Sequence, residues 1–96
     1  MYVAEYYLSP GFQQSISVQK GAQFLSIKAF PNTYGSADIV MYMLEDESVG
    51  TYEPINLHCV GTGMYFNPPG ALEYLASAVV ARHEYTTETI HIFKEI

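Results

Sequence analysis

Apolar and polar residues alternate along most of this chain with a period of two. The cleanest stretch is 12–19, where Phe12, Gln14, Ile16 and Val18 alternate with Gln13, Ser15, Ser17 and Gln19. A period of two sends successive side chains to opposite faces, so the segment predicts a strand with one apolar face. Tyr2–Leu8 is a first apolar run, stopped by Ser9-Pro10-Gly11. Pro lacks an amide hydrogen and Gly permits positive φ, so both end strands. Residues 22–30 put Leu25, Ile27 and Ala29 on one face and Phe24, Ser26, Lys28 and Phe30 on the other. Their short link to the preceding run, Gln19-Lys20-Gly21, predicts a hairpin.

Turn formers fill 31–36, which reads as a loop. Ala37–Glu45 is apolar on both faces: Val40, Tyr42 and Leu44 on one, Ile39, Met41 and Met43 on the other. Such a strand lies between layers or under a partner, which leads us to expect a homo-oligomer. A polar loop runs from Asp46 through Gly50 and Tyr52 to Pro54, and 55–60 is a short strand with Ile55, Leu57 and Cys59 on one face. Gly61-Thr62-Gly63 ends it, and Asn67-Pro68-Pro69-Gly70 makes 64–70 irregular.

Residues 71–82 carry two patterns. Positions 71, 72, 75, 78 and 79 fit a helical face, whereas Leu72, Tyr74, Ala76, Ala78 and Val80 alternate as in a strand. Residues 86–96 form a clear last strand with Ile90, Ile92 and Ile96 on one face. Repeats, linkers and low-complexity segments are absent, so 1–96 reads as one domain. The predicted fold is all-β, a small sandwich or barrel of about seven mostly antiparallel strands. The alternative is α+β, with one helix at 71–82.

Several of these residues also carry a resemblance. Gln19-Lys20-Gly21-Ala22 with Phe24-Leu25-Ser26-Ile27, then Val60-Gly61-Thr62-Gly63, then Ile90-His91-Ile92-Phe93-Lys94-Glu95 resemble motifs of a family of short uncharacterised bacteriophage and prophage proteins. The resemblance spans almost the whole chain and favours the strand reading of 71–82. It departs at Gln19, where the family often has Pro, and in longer segments near 32–36 and 68–72. It implies a phage-encoded setting, and no reaction, cofactor or catalytic residue.

Composition narrows the function further. Four Lys and Arg against ten Asp and Glu leave a net charge of −6, which argues against a nucleic-acid binder that tracks phosphates. The lone Cys59 cannot form an internal disulfide. No apolar run approaches the roughly 18 residues of a membrane span, and the start of the chain lacks the pattern of a signal peptide. We therefore expect an intracellular protein of the host cytoplasm, or alternatively a virion component.

Chemistry-bearing motifs are sparse. Gly61-Thr62-Gly63 matches neither phosphate-binding glycine pattern and reads as a turn. His58 and Cys59 are adjacent, so a strand points them to opposite faces. A Cys59 dyad with His83 or His91 would need a tertiary contact, and no spacing demands a metal site. No cofactor is expected. Glu45-Asp46-Glu47 reads as a solvated acidic loop.

With nine Tyr, five Phe and no Trp, the aromatic set is the best candidate for a surface. Tyr34, Tyr52, Tyr65 and Phe66 fall in predicted loops. Together with Glu45, Asp46 and Glu47 they form the candidate binding residues. The expected function is a non-enzymatic accessory protein that binds a host or defence component, protein or small ligand, through these aromatics and carboxylates. The alternative is a structural virion or assembly accessory.

Overall fold

The computed structural model describes residues 1–9, 13–31, 37–83 and 86–96. Within them the period-two segments form seven strands: β1 (Tyr2–Leu8), β2 (Gln13–Gln19), β3 (Gln23–Pro31), β4 (Ala37–Glu45), β5 (Tyr52–Gly61), β6 (Leu72–His83) and β7 (Thr86–Glu95). Residues 71–82 therefore belong to a strand and not to a helix. All pairings are antiparallel. A three-stranded sheet has the order β1-β4-β3 and a four-stranded sheet the order β2-β5-β7-β6. They stack as a sandwich and do not close into a barrel.

The core lies between the sheets. Leu8, Ile27, Ile39, Met41 and Met43 enter it from the small sheet. From the large sheet come Val18, Ile55, Leu57, Cys59, Ala78, Val80, Ile90 and Ile92. Leu57 and Ile92 are wholly buried, and each such side chain contributes roughly 1.5–3 kcal/mol. The two sheets meet along one side, where β3 lies against β6.

The link between β2 and β3 is not a hairpin. The Ala22 amide donates to the Gln19 carbonyl at 3.0 Å, closing a β-turn around Lys20 and Gly21. Gly21 has φ +84° and, among the described residues, no non-glycine residue has positive φ, the pattern of a type II turn. Two-residue hairpins need φ > 0 at the first central position, and type II geometry splays the flanking strands. So β2 pairs with β5, β3 pairs with β4, and the turn carries the chain from one sheet to the other.

Polar side chains lock this crossing. Gln19 is 2% exposed. Its side-chain amide donates to the carbonyls of Asp46 and Val49, and its oxygen accepts from the Asp46 amide at 2.6 Å. The end of β2 is thereby stitched to the turn after β4. Next to it, Glu45 accepts hydrogen bonds from the hydroxyls of Tyr2 and Tyr6 on β1, and from the Gln19 backbone N–H at 3.5 Å. Lys20 donates its amide to the Thr51 carbonyl at 2.8 Å. Among the described residues, no buried side-chain nitrogen or oxygen lacks a partner.

Three register shifts interrupt the pairing, one in β3 and two in β6, the last between Ala81 and His83; the first two move faces that alternation predicts. In β3, Phe24 is opposite Met43 and Ser26 opposite Tyr42, so Leu25 is the extra residue. Phe24 therefore joins Ile27 and Ala29 against the core, while Leu25 is 42% exposed. In β6 the extra residue is Leu75, between Tyr74 and Ala76. This phase change explains why 71–82 carried a mixed helical and strand signal.

β5 and β6 both run antiparallel to β7 and so parallel to each other. The segment between them returns along β7 from Ile90, opposite Gly61, to Glu95, opposite Leu72. It crosses the outer face of the large sheet as a strap. Phe66 packs on His58 and Phe93 there, with centroids 5.9 and 5.6 Å apart. Thr62 Oγ1 lies 2.8 Å from His91 Nε2. At the start of the strap, a Cβ on Gly61 would sit 2.5 Å from Glu88 Oε1, so a larger residue here would displace the Glu88 carboxylate.

Replacing Gln19 by Ala removes the side-chain partners of the half-buried Asp46 amide and Val49 carbonyl, while the Asp46 carbonyl keeps the Val49 amide. The change should cost about 3 kcal/mol, read from the urea midpoint; a loss within experimental error would remove the stitch from the account. The second expectation concerns alkali. Burial, then the Glu45 hydrogen bond and charge, raises the Tyr6 phenol above its ordinary 10.0. The same Glu45 hydrogen bond, then burial, raises Tyr2. Groups held protonated in the fold contribute stability that is complete below pH 10 and lost as pH rises through their folded values. Stability should therefore fall above pH 10, and Tyr6→Phe should flatten that fall.

Candidate functional site

The seven candidate residues do not form one surface. Tyr34 lies outside the described residues. Glu45 is not in a solvated loop: it ends β4 and is 2% exposed, because Tyr2 and Tyr6 of the neighbouring strand reach over it. Asp46 follows it in a turn closed by the Val49 amide on the Asp46 carbonyl. The Ser48 amide and then its hydroxyl bond the Asp46 carboxylate and lower its pKa. Glu47 is exposed, with the N-terminal ammonium 3.8 Å away. Tyr52 is the first residue of β5, opposite Gln19, and not part of a loop. Tyr65 is fully exposed on the strap, and the neighbouring Phe66 is packed against the sheet. Tyr52 stands with Glu45, Asp46 and Glu47 near the sheet crossing, and Tyr65 and Phe66 stand apart on the outer face.

A better-formed site lies between the sheets. The Leu25 and Leu75 bulges are on β3 and β6, the two edge strands that face each other. Bulges bend a strand and interrupt its pairing. Here they flank a cleft of about 360 Å³. Phe24, Met41 and Met43 line it from the small sheet, and Val18, Ile55 and Leu75 from the large one. Methionine side chains are flexible and polarisable, so these walls can adapt to an occupant.

Three charged residues also line the cleft: Glu53, Glu73 and Lys94. Alternation explains why they face inward. Glu53 precedes Ile55 by two residues on β5, Lys94 follows Ile92 by two on β7, and Glu73 is opposite Lys94 in register. Glu53 and Glu73 are exposed while Val18, Met41, Met43 and Ile55 are buried, so the charges stand at the mouth and the apolar walls lie inside. Among the described residues, none of the three makes an ion pair within 4.0 Å. Sequence reading did not find this site. Charges at inward parity beside Ile55 and Ile92 were its legible signal; the bulges were not.

The remaining reactive side chains are tied to structure. Cys59 points into the core, where burial pushes its thiol up to about 11. The Gln14 amide donates to its sulfur at 3.5 Å. His58 and His91 are on the outer face, so neither meets the thiol. His58 Nε2 is 3.0 Å from Glu95 Oε2, which also accepts from the Gln13 side chain at 3.2 Å. No group of three or more His, Cys, Asp or Glu able to hold a metal occurs among the described residues, and none of their helices is long and apolar enough to cross a membrane. Comparison with protein-family models, curated proteins and solved structures returned no match.

Because the thiolate is the reactive species, native Cys59 should react with a disulfide reagent near neutral pH roughly a hundredfold more slowly than in the unfolded chain. Rapid labelling of the folded protein would place the thiol outside the core.

Proposed function

We propose that this protein is a non-catalytic binding protein that takes a small amphipathic molecule into the cleft between its sheets. The observation that carries the reading is one apolar-walled cleft of about 360 Å³ with three charged side chains at its mouth and no ion pair among them. That volume lies within the usual range of small-molecule sites, which are mainly apolar with a few convergent polar groups. The apolar part of the ligand would displace water from Met41, Met43, Ile55 and Leu75. Its polar end would meet Lys94, Glu53 and Glu73. No nucleophile paired with a base lines the cleft, so the chemistry on offer is retention.

In line with the resemblance to short phage-encoded proteins, we take the setting to be an infected bacterial cell, where such a protein would sequester a small component of the host or its defence. The second reading, an assembly accessory of the virion, draws on a different observation: the exposed apolar outer face of the small sheet, with Val3 and Tyr7 at 54% and 68% exposure.

Anilinonaphthalene sulfonate, apolar with one anionic group, is a suitable probe. It should bind the native protein saturably at one site. Ala22→Trp, which puts an indole into the cleft, should weaken binding by at least about tenfold while thermal unfolding stays cooperative. Lys94→Gln should weaken it by roughly two- to fivefold, the worth of a part-exposed ion pair. Equal binding by wild type and Ala22→Trp would exclude the cleft as the site.

A further inference from the structure

Position along the strands separates the three charges at the mouth of the cleft. Glu73 on β6 is directly opposite Lys94 on β7. Cross-strand partners have backbones about 5 Å apart, so these two opposite charges largely cancel over the range of a Debye length. Glu53 stands apart from them. Leu57 is the β5 residue level with Lys94. Glu53 lies four residues further along β5, or about 14 Å. On one side Glu53 is paired with Val18 of β2. On the other, β7 pairs with β5 only over Leu57–Gly61, so Glu53 has an open flank and is exposed.

The other charges at that end balance. Lys20 lies in the turn beside Gln19, and the Met1 ammonium is 3.8 Å from Glu47. Asp46, bonded to Gln19, and Glu47 offset these two bases in number. The mouth therefore carries one net negative charge, centred on Glu53, in a chain of net charge −6. The walls favour the same sign of ligand. Phe24, Met41 and Met43 line the cleft. Aromatic faces and thioether sulfurs are electron-rich, so they attract a cation more than an anion.

We propose that the occupant is an organic ammonium, a monoamine whose apolar body lies between the sheets and whose charged nitrogen sits at the mouth with Glu53. This rests on the cleft being the binding site and adds the sign of the ligand's charge. Lys94 repels the ammonium, and Glu73 beside it offsets that repulsion. The acidity of the whole chain raises the local concentration of such cations.

Three probes with one aromatic body and different heads test the proposal: naphthylethylamine, naphthylethanol and naphthylacetate, each measured by equilibrium dialysis against the full chain. At low salt the amine should bind about fivefold or more tighter than the alcohol, and at about 1 M salt most of that advantage should vanish. Glu53→Gln should weaken the amine by about threefold or more and leave the alcohol unchanged, whereas Lys94→Gln should tighten the amine by about twofold. Equal binding of amine and alcohol overturns the proposal and leaves the cleft in place. So does tighter binding of the carboxylate, or an amine advantage that survives Glu53→Gln. Failure of all three probes to bind, or amine binding untouched by Ala22→Trp, overturns the proposal together with the cleft as a binding site.

Discussion

The turn at Lys20-Gly21 has to change sheets, and the structure depends on how that crossing is held. A type II turn cannot keep its flanking strands paired, so β2 and β3 leave it in different layers. A bare crossing would expose the backbone ends of β2 and β4. The buried Gln19 amide replaces the missing ladder by bonding the Asp46 and Val49 backbone as another strand would. Glu45 draws in β1 through Tyr2 and Tyr6. One buried amide and one buried carboxyl thus join β1, β2, β4 and the β4–β5 turn at a single point.

That point borders the cleft. Val18 and Ala22, on either side of the turn, both line it, as does Glu53 beside the paired Tyr52. With the crossing fixed at one end, the Leu25 and Leu75 bulges interrupt the edges where the sheets meet. The cleft follows from two opposing demands. Hydrogen bonding holds the sheets at the crossing, and irregular pairing keeps β3 and β6 from closing over Met41 and Met43. The charges at the mouth follow from strict alternation in β5 and β7, which continues inward past the last apolar residue.

Much of the fold was legible because period two is a local property. The strands around Ile16, Ile39, Leu57 and Ile92 announce themselves in the residues on either side. The pairing of β2 with β3 was misread because a hairpin and a sheet crossing differ in the sign of φ at Lys20, which sequence does not display. The faces of Phe24 and Tyr74 hinge on single extra residues, and a bulge leaves no fixed mark in composition. Glu45 looked solvated beside Asp46 and Glu47, since its partners Tyr2 and Tyr6 lie 43 and 39 residues away. The aromatic surface inferred from loops divided for a related reason: Tyr52 was drawn into β5, and Phe66 packs over Phe93.

Native-state hydrogen exchange tests the central role of the crossing most directly, because the decisive amides lie in turns that would otherwise exchange quickly. If Gln19 and Glu45 hold the sheets, the Lys20 and Asp46 amides should exchange as slowly as those of Met41 and Leu57, through global unfolding. Exchange of Lys20 and Asp46 at the rate of exposed loop amides, with Met41 and Leu57 still protected, would contradict the account.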